Sequence, residues 1–267
     1  MLYLVATPIG NLKDITLRAL DVLKEADYIA CEDTRRALIL LNAYGIKKPL
    51  IIYQKHNEKS AGAEIIDLLK AGKSVALISD AGMPAVSDPG AALVAAAREE
   101  GIPLTVIPGA SAAVAAFALS GIESGGFTFL GFIEGNRNDK VSILQKQKSN
   151  PLPLVVYSAP HDLETNAEIL YSVLGDRKVW AVKEITKIHE TVTISTLRDF
   201  SAGVQKGEFV LIIEGAKEES PLNALSVEEH LKHYLSAGIS KKNAVKIVAE
   251  ERGASKNDVY KAALGLE

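Results

Sequence analysis

The sequence predicts an α/β protein built from two α/β domains and a small helical module at the end of the chain. Short apolar segments rich in β-branched residues alternate with helix-periodic segments from the first residue onward. Continuous apolar strands that alternate with helices indicate a largely parallel sheet covered on both faces. The chain of 267 residues is long enough for two domains of about 120 residues each.

The first domain, residues 1–120, is predicted to contain five strands with helices between them. The stretch "ASAAVAAFALSG" is too short to span a membrane and predicts a buried helix. The glycine-rich stretch Ser120–Gly126 indicates the end of this domain. The predicted strands are Leu2–Ala6, Tyr28–Cys31, Leu50–Tyr53, Val75–Ser79 and Leu104–Ile107, and the other predicted helices are Leu17–Glu25, Ala61–Ala71 and Ala91–Glu100.

The second domain, residues 121–217, has fewer strands and less regular connections, which favours a mixed sheet. A linker, "AKEESPLNALS", then leads to a helical module at residues 226–267, in which Ser240 and Ser255 stand where N-caps belong. The predicted strands are Phe127–Phe132, Leu154–Tyr157, Val179–Val182 and Phe209–Glu214, and the predicted helices are Lys140–Lys148, Leu163–Leu174, Val227–Ala237, Lys241–Arg252 and Lys256–Leu264.

Composition excludes several classes of protein. The net charge of −3 gives no overall basic field, so any nucleic-acid contact must come from a local patch. The single cysteine, Cys31, excludes an intrachain disulfide framework. The N-terminus lacks the basic flank of a signal peptide, and no apolar run reaches the roughly 18 residues of a membrane span. We therefore expect a cytoplasmic protein.

Three loops at the ends of predicted strands carry the distinctive chemistry: "ATPIGN", "SDAGMPAVSDPG" and "PGASAA". Ligands of open α/β sheets bind at the carboxyl ends of parallel strands. No loop has a glycine-rich phosphate motif, and no Lys or Arg occurs within 74–97 or 101–121. A phosphate-bearing ligand is disfavoured, because it normally meets a basic side chain or a glycine-lined helix start.

This chemistry suits S-adenosylmethionine, which carries two cations, a carboxylate, a ribose diol and an adenine but no phosphate. Asp80 is suited to the amino group or a ribose hydroxyl, and backbone N–H groups near Ser111 to the carboxylate. Small residues such as Gly82 and Gly109 allow a close approach of the backbone. The alternative is that proline and glycine only shape tight turns after these strands.

Four segments together resemble the tetrapyrrole-methylase superfamily: residues 2–35, "LISDAGMPAVSDPG", "PGASA" and "EITKIHE". Within it they are most similar to the small-subunit ribosomal RNA (cytidine-2′-O)-methyltransferases. The resemblance implies the class III methyltransferase fold, with S-adenosylmethionine in a cleft between two α/β domains, and a homodimer. It also implies 2′-O-methylation of a cytidine in 16S ribosomal RNA of the small subunit, with the C-terminal helices as an RNA contact.

The resemblance also implies the cofactor-binding residues of the site, and basic residues near it are candidates for the RNA. RNA contacts are expected from Lys13, Arg35, Arg137 and Lys187, although Lys13 also fits a plain helix surface. No metal site is expected: His230, His233 and Glu229 have helical spacing but lack a third well-placed ligand. The implied cofactor-binding residues are Thr7, Pro8, Gly10, Ser79, Asp80, Ala81, Gly82, Val86, Ser87, Ala110, Ser111, Ala112, Tyr157, Ser158, Ala181 and Val182.

Two segments depart from the family pattern. The family usually has a Pro-Arg-Lys run after Gly131–Phe132, where this chain has "IEGNRNDK". It usually has Tyr-Glu-Ser-Pro-His-Arg where this chain has "YSAPHD", with Ser158 and Asp162 in place of the glutamate and the arginine. Loss of positive charge weakens contact with a phosphate backbone, and Arg137 or Lys140 are candidates to compensate. The departures concern the substrate and not the cofactor.

A ribose hydroxyl is a poor nucleophile at neutral pH, so a proton acceptor should assist its attack. Glu184 and Asp33 are the favoured candidates, ahead of Asp80 and His189. Asp33 also fits a structural ion pair with Arg35. Lys183 and Lys187 fit either a contact to phosphate or a strand with an exposed face.

Two rival functions remain open at this point. One is methylation of a tetrapyrrole ring, against which the C-terminal helices and the first forty residues argue. The other is a non-catalytic paralogue that binds S-adenosylmethionine or ribosomes, which the two departing segments leave possible.

Overall fold

The computed structural model describes residues 1–200, 207–217 and 221–266. Two compact units are present, Met1–Gly215 and Ala216–Glu267. The predicted domain 121–217 includes 201–206, the predicted linker includes 218–220, and the predicted module ends at Glu267; these residues lie outside the described ones. In the part of the chain that the structure describes, no helix has the length and apolar character that crossing a membrane requires.

The first unit begins with a five-stranded sheet. Its strands are β1 (Leu2–Val5), β2 (Tyr28–Cys31), β3 (Leu50–Ile52), β4 (Val75–Ile78) and β5 (Leu104–Ile107). They pair in the order β3-β2-β4-β1-β5, and every pairing is parallel. The predicted parallel sheet is therefore confirmed, and β1 and β4 lie side by side at its centre.

Helices cover this sheet on both faces, because two separate apolar cores flank it. Thr16 and Asp33 cap the first two helices, where their side chains accept hydrogen bonds from Ala19 N and Arg35 N. The helices are α1 (Leu17–Glu25), α2 (Thr34–Ala43), α3 (Glu58–Lys70), α4 (Ala91–Glu99) and α5 (Ala112–Ser120).

The second sheet belongs to the same unit and is mixed, as predicted. Its elements are β6 (Thr128–Phe132), α6 (Arg137–Gln145), β7 (Leu154–Ser158), α7 (Leu163–Leu174), β8 (Lys178–Lys183), β9 (Thr191–Thr196) and β10 (Phe209–Ile213). The order is β6-β7-β10-β8-β9, in which only β6 and β7 pair in parallel. One face of this sheet packs on α5, so Val155 and Val210 share a core with Ala116.

The interpretation of Lys183 and Lys187 as members of one strand is wrong. Lys183 is the last residue of β8, and the chain turns immediately after it. Glu184 and Thr186 have φ angles of 52° and 66°, in the left-handed region that a strand does not contain. Residues 184–190 are therefore a loop that leads into β9, a strand that the sequence analysis did not predict.

The second unit contains three helices in its described part: α8 (Val227–Ser236), α9 (Lys241–Arg252) and α10 (Lys256–Ala263). Their apolar faces pack around Leu231, Val248 and Val259. Ser255 accepts a hydrogen bond from Asp258 N, whereas Ser240 occupies the N-cap position without such a bond. The predicted helical module is thus observed with nearly the predicted bounds.

Candidate active site

The first unit contains a cavity of about 600 Å³ at the carboxyl ends of β1 and β4. Ligand sites typically measure about 300–1,000 Å³, so the volume suits a nucleoside-sized molecule. Both sheets contribute walls, which include residues 80–83, 86–88 and 111–114 from the first half of the unit and Phe127, Phe129, Phe132, 157–160 and 208–210 from the second.

The loops after β1 and β4 are tied together by main-chain hydrogen bonds. Thr7 N donates to Gly82 O at 2.8 Å, and Gly82 N donates to Thr7 O at 3.1 Å. The buried Thr7 hydroxyl also donates to Ser79 O at 3.2 Å. Gly82 has a φ of +81°, which a residue with a side chain rarely adopts. Thr7 and Ser79 therefore hold the floor of the site together and do not line the cavity.

Some of the predicted cofactor residues line the cavity and others do not. Ala181 and Val182 are 3% and 0% exposed and pack in the cores of the second sheet, away from the cavity. Pro8, Gly10 and Ala110 lie in the adjoining loops but do not line it. The predicted residues that do line the cavity are Asp80, Ala81, Gly82, Val86, Ser87, Ser111, Ala112, Tyr157 and Ser158.

Gly10 allows the loop after β8 to approach the loop after β1. A Cβ atom at Gly10 would lie 2.7 Å from Lys187 Cγ, 2.8 Å from Thr186 Oγ1 and 3.0 Å from Ile185 O. Ile185 is itself part of the cavity wall. The absence of a side chain at Gly10 thus sets the position of one wall of the site.

Four acidic residues line the cavity: Glu32, Asp80, Asp88 and Glu208, the last of which is paired with Lys187. Asp80 Oδ2 lies 3.4 Å from Arg36 Nη1. The guanidinium of Arg36 is the one basic group among the described lining residues. Burial and the nearby Asp80 raise the pKa of both Glu32 and Asp88, while the Ser79 hydroxyl partly opposes the shift at Asp88. Glu32, Arg36 and Asp88 were not among the site residues predicted from the sequence.

Aromatic rings form the opposite wall, and these too were missed. The ring of Tyr157 lies edge-on to Phe129 and Phe132, with centroid distances of 5.0 Å and 5.4 Å. The Tyr157 hydroxyl accepts a hydrogen bond from Ala113 N at 3.1 Å. A flat apolar ring system beside carboxylates suits a ligand that combines a heterocycle with a cation.

Asp33 and Arg35 form the ion pair that the sequence analysis gave as an alternative. Arg35 Nη2 lies 2.7 Å from Asp33 Oδ2, and Arg35 Nε donates to Oδ1 at 3.1 Å. These side-chain bonds, with the backbone N–H of Arg35, lower the pKa of Asp33 to about 2. Asp33 does not line the cavity, and a carboxylate of such low pKa is a weak base.

Glu184 is also engaged elsewhere. Its Oε1 accepts hydrogen bonds from Lys187 Nζ at 2.9 Å and from Glu208 N at 2.8 Å. Burial acts to raise the pKa of Glu184, but the bonds from Lys187 and Glu208 outweigh it and lower the pKa. Lys187 Nζ also lies 3.1 Å from Glu208 Oε2. Glu184 thus holds the loop that carries Ile185, and its carboxylate does not line the cavity.

The remaining predicted residues are scattered. Lys13, Arg137 and His189 are exposed on the surface. His230, in the second unit, is fully buried, and its Nε2 and Nδ1 atoms contact Glu251 at 2.8 Å and Arg252 at 3.0 Å, which leaves neither nitrogen for a metal. Among the described residues no group of three or more His, Cys, Asp or Glu side chains is placed to hold a metal ion.

An apolar cavity with carboxylates at the carboxyl ends of a parallel sheet, facing a second sheet, defines a small-molecule-binding α/β enzyme. The family model of the "Tetrapyrrole (Corrin/Porphyrin) Methylases" matches residues 1–201. The chain belongs to this family, and the predicted enzyme class, a methyltransferase, is confirmed.

Relatives and solved structures agree with this assignment. The chain is 43% identical to a protein of Halalkalibacterium halodurans (97% of this chain, 93% of the relative) and 40% identical to one of Bacillus subtilis (98% and 93%), both named "Ribosomal RNA small subunit methyltransferase I". The predicted resemblance to this branch is confirmed.

The fold is shared with more distant enzymes. A diphthine synthase structure superimposes with a TM-score of 0.64 at 18% identity, covering 80% of this chain and 89% of that one. A Thermus thermophilus uroporphyrin-III C-methyltransferase "complexed with S-adenyl homocysteine" gives 0.58 at 21% identity, covering 79% and 96%. The predicted class III methyltransferase fold is confirmed.

Proposed function

We propose that the protein transfers a methyl group from S-adenosylmethionine to the 2′-hydroxyl of a cytidine in 16S ribosomal RNA. One observation supports methylation of small-subunit ribosomal RNA: relatives named ribosomal RNA small subunit methyltransferase I match the chain at 43% and 40% identity over nearly its whole length. The cytidine 2′-hydroxyl as acceptor is proposed from the family resemblance. The cavity described above lies entirely inside the matched length and supplies a site for the methyl donor.

The lining of the cavity fits S-adenosylmethionine. Carboxylates of Glu32, Asp80 and Asp88 complement a sulfonium and an amino cation, and the start of α5 presents backbone N–H groups to a carboxylate. Phe127 and Phe129 offer apolar faces to an adenine. Arg36 is the one basic group among the described lining residues, and it is paired with Asp80, so a pyrophosphate-bearing cofactor fits poorly.

The proposed reaction is a displacement at carbon. Bound S-adenosylmethionine supplies a methyl carbon activated by its sulfonium, to which the ribose 2′-oxygen bonds as the carbon–sulfur bond breaks and a neutral thioether leaves. The walls from both sheets hold acceptor and donor in line, which is where most of the acceleration arises. A carboxylate of the chain takes the proton of the hydroxyl.

For the proton acceptor, the geometry favours the Glu32–Asp80–Asp88 cluster over the two residues proposed from sequence. Asp33 and Glu184 are held by Arg35 and Lys187 outside the cavity. Glu32 and Asp88 line the cavity, and their raised pKa values make their carboxylates stronger bases than ordinary ones.

The RNA contacts belong to the same proposal. Lys13 and Arg137 are exposed and available to phosphates, as is the described part of the helical module at 226–267. Arg35 is exposed but paired with Asp33. Lys187 is engaged by two glutamates and contributes less. The homodimer remains a proposal from the resemblance, and the cytoplasmic location remains a proposal from the composition.

The experiment uses labelled S-adenosylmethionine with two acceptors: small subunits from a strain that lacks the modification, and a precorrin. We expect label at a ribose 2′ position of the RNA. Labelling of the precorrin alone would contradict the proposal in favour of a tetrapyrrole methylase. Binding of the donor without transfer to either acceptor would favour a non-catalytic paralogue.

A further inference from the structure

A second cavity, of about 360 Å³, adjoins the first. The two cavities share three wall residues, Phe132, Tyr157 and Ala159. Residues of both segments in which the sequence departs from the family pattern, 133–140 and 158–162, line this cavity. The second cavity therefore adjoins the cofactor cavity, and both departing segments contribute to its wall.

The polar groups of the second cavity are held in fixed positions. Lys140 Nζ donates to Asn166 Oδ1 at 2.8 Å, and Asn166 Nδ2 donates to Ser158 Oγ at 3.0 Å. Asn166 is only 5% exposed, so its amide is a rigid support for the ammonium group of Lys140. These bonds fix where the cation stands on the cavity wall.

A carboxylate completes the polar set. Asp162 occupies the N-cap position of α7, but its side chain makes no capping hydrogen bond. Its described ionic contact is with His161, whose Nε2 lies 3.5 Å from Asp162 Oδ2, and the His161 side chain is 80% exposed. The Asp162 carboxylate is therefore able to accept hydrogen bonds from a group in the cavity.

An aromatic ring stands at the entrance between the cavities. Phe132 is 53% exposed although it is a large apolar side chain, and it packs edge-on against Tyr157. Proteins that recognise single-stranded RNA stack splayed-out bases on such rings and read their Watson–Crick edges with polar groups. The second cavity combines the same elements: Phe132 offers an exposed ring, and Lys140 and Asp162 offer polar groups for a base edge.

We propose that the second cavity holds the base of the nucleotide whose ribose is methylated, and that Asp162 and Lys140 select cytosine over uracil. The inference rests on the proposed function, because it takes a ribose in the cofactor cavity as given. A base and its own ribose are directly bonded, so adjoining cavities with shared walls match the two halves of one nucleoside.

The selection follows from the pattern of donors and acceptors. Cytosine presents an amino donor at N4 and acceptors at N3 and O2, which complement the Asp162 carboxylate and the Lys140 ammonium group. Uracil presents an acceptor at O4, which would face the carboxylate without a proton between them. Two acceptors that face each other in a cavity cannot form a hydrogen bond, and this loss rejects a ligand that otherwise has nearly the same shape.

The main test compares small subunits that carry cytidine or uridine at the target position. We expect wild-type protein to prefer cytidine, and Asp162→Asn to lower the ratio of kcat/KM values for the two by roughly tenfold, since an amide can either accept or donate. Glu168→Gln, an exposed carboxylate on the same helix, is the matched control and should keep the wild-type ratio. An unchanged ratio in Asp162→Asn would overturn the inference.

A second pair of variants separates base reading from phosphate binding. Lys140→Met should raise KM for the cytidine substrate more than for the uridine substrate, whereas the exposed Lys146→Met should change neither. An equal loss for both substrates in Lys140→Met would mean that the lysine binds the RNA backbone, and would overturn its role in selection.

Calorimetry with S-adenosylmethionine and thermal unfolding are run on every variant. We expect donor affinity and melting temperature near the wild-type values, so that any change in selectivity is assigned to the second cavity. If Asp162→Asn unfolds, Asp162→Ser replaces it, because serine also suits an N-cap. Absence of transfer to either RNA by wild-type protein would instead overturn the proposed function, an outcome distinct from transfer without selectivity.

Discussion

The phenolic oxygen of Tyr157 accepts a hydrogen bond from the backbone N–H of Ala113 at 3.1 Å. Tyr157 belongs to β7 of the second sheet, and Ala113 to the first turn of α5, which follows the first sheet. N–H groups in the first turn of a helix have no partner within that helix, so the phenol satisfies a donor that burial would otherwise leave unpaired. Both residues line the larger cavity, and this bond fixes its width.

Tyr157→Phe should weaken binding of S-adenosylmethionine. An unpaired, partly buried N–H costs about 1–3 kcal/mol, and part of that cost falls on the cofactor-bound state, in which water is excluded. We expect a Kd about tenfold higher by calorimetry. Tyr260→Phe, on α10, is the matched control and should bind normally. Equal affinities for wild type and Tyr157→Phe would show that the bond does not shape the site.

Gly10→Ala should also weaken cofactor binding, by a steric route. The new methyl group would stand 2.7 Å from Lys187 Cγ and 3.0 Å from Ile185 O, so the loop that forms a cavity wall must move. Overpacking of this kind typically costs about 1–3 kcal/mol. Calorimetry and thermal unfolding should show both a weaker Kd and a lower melting temperature.

The control for Gly10→Ala is a second glycine at which alanine should raise the stability of the protein. Gly62 lies inside α3, where an added Cβ would meet Tyr53 Cε2 at an ordinary 3.8 Å. Gly62→Ala should stabilise the protein by about 0.5–1 kcal/mol through helix propensity, with donor affinity unchanged. If both alanine variants lost stability, crowding at Gly10 would not be the cause.

Methyl transfer should depend on pH through the cavity carboxylates. A base works only when deprotonated, and the pKa of Asp88 is raised above its ordinary value of 3.8, chiefly by burial and then by Asp80. Activity should therefore be lost on acidification, and this acidic limb of the pH profile should lie at a higher pH than it would for a base with the pKa of an ordinary aspartate. Asp88→Asn should reduce kcat and alter this limb, to which Glu32, whose pKa is raised as well, also contributes.

Asp33→Asn is the comparison that decides between the sequence-based and the geometric assignments. With a pKa of about 2, Asp33 is already ionised across the range in which the limb is measured. Its replacement should leave the shape of the profile of kcat against pH unchanged. A profile that lost its limb in Asp33→Asn but kept it in Asp88→Asn would return the role to Asp33.

The loops of the site were predictable because the residues that mark them lie in short contiguous stretches of the sequence. The turn residues and acids after β1, β4 and β5 are visible in short stretches, and the carboxyl-end rule places them together. Glu32 and Arg36 were not found as site residues because strand order is not a local property, whereas Asp88 lies in the loop after β4 and was missed although its signal is local. Only the placement of β2 beside β4 brings Glu32 to the same edge as Asp80.

Other differences between the predictions and the structure have different physical causes. The strand β9 escaped prediction because its residues are mostly exposed and lack a buried apolar run. The expectation for Ala181 and Val182 came from resemblance alone, and in the structure β8 lies between two partner strands with both side chains in packed cores. The second cavity was invisible in the sequence because Lys140 and Asn166 are 26 positions apart and meet only in the folded chain.

The buried histidine of the second unit predicts a loss of stability in mild acid. His230 Nε2 lies 2.8 Å from Glu251 Oε2, and its Nδ1 accepts a hydrogen bond from Arg252 Nε, an arrangement that requires a neutral ring. Burial lowers the pKa of His230 below 6.5, although Glu251 opposes the shift. The unfolded chain then binds the proton more readily than the folded one, so stability is full above pH 6.5 and declines as the pH falls through and below that value.

Hydrogen exchange of the amides of α8, α9 and α10 in the full chain measures this effect. Protection should decrease between pH 7 and pH 5, after correction for the intrinsic exchange rates. His230→Gln is the informative variant, because an amide can donate to Glu251 and accept from Arg252 without titrating, so its protection should be nearly independent of pH. His189→Gln, an exposed histidine of the first unit, should behave like wild type. The same decline in wild type and His230→Gln would assign the acid sensitivity to another group, because the glutamine has no proton to gain.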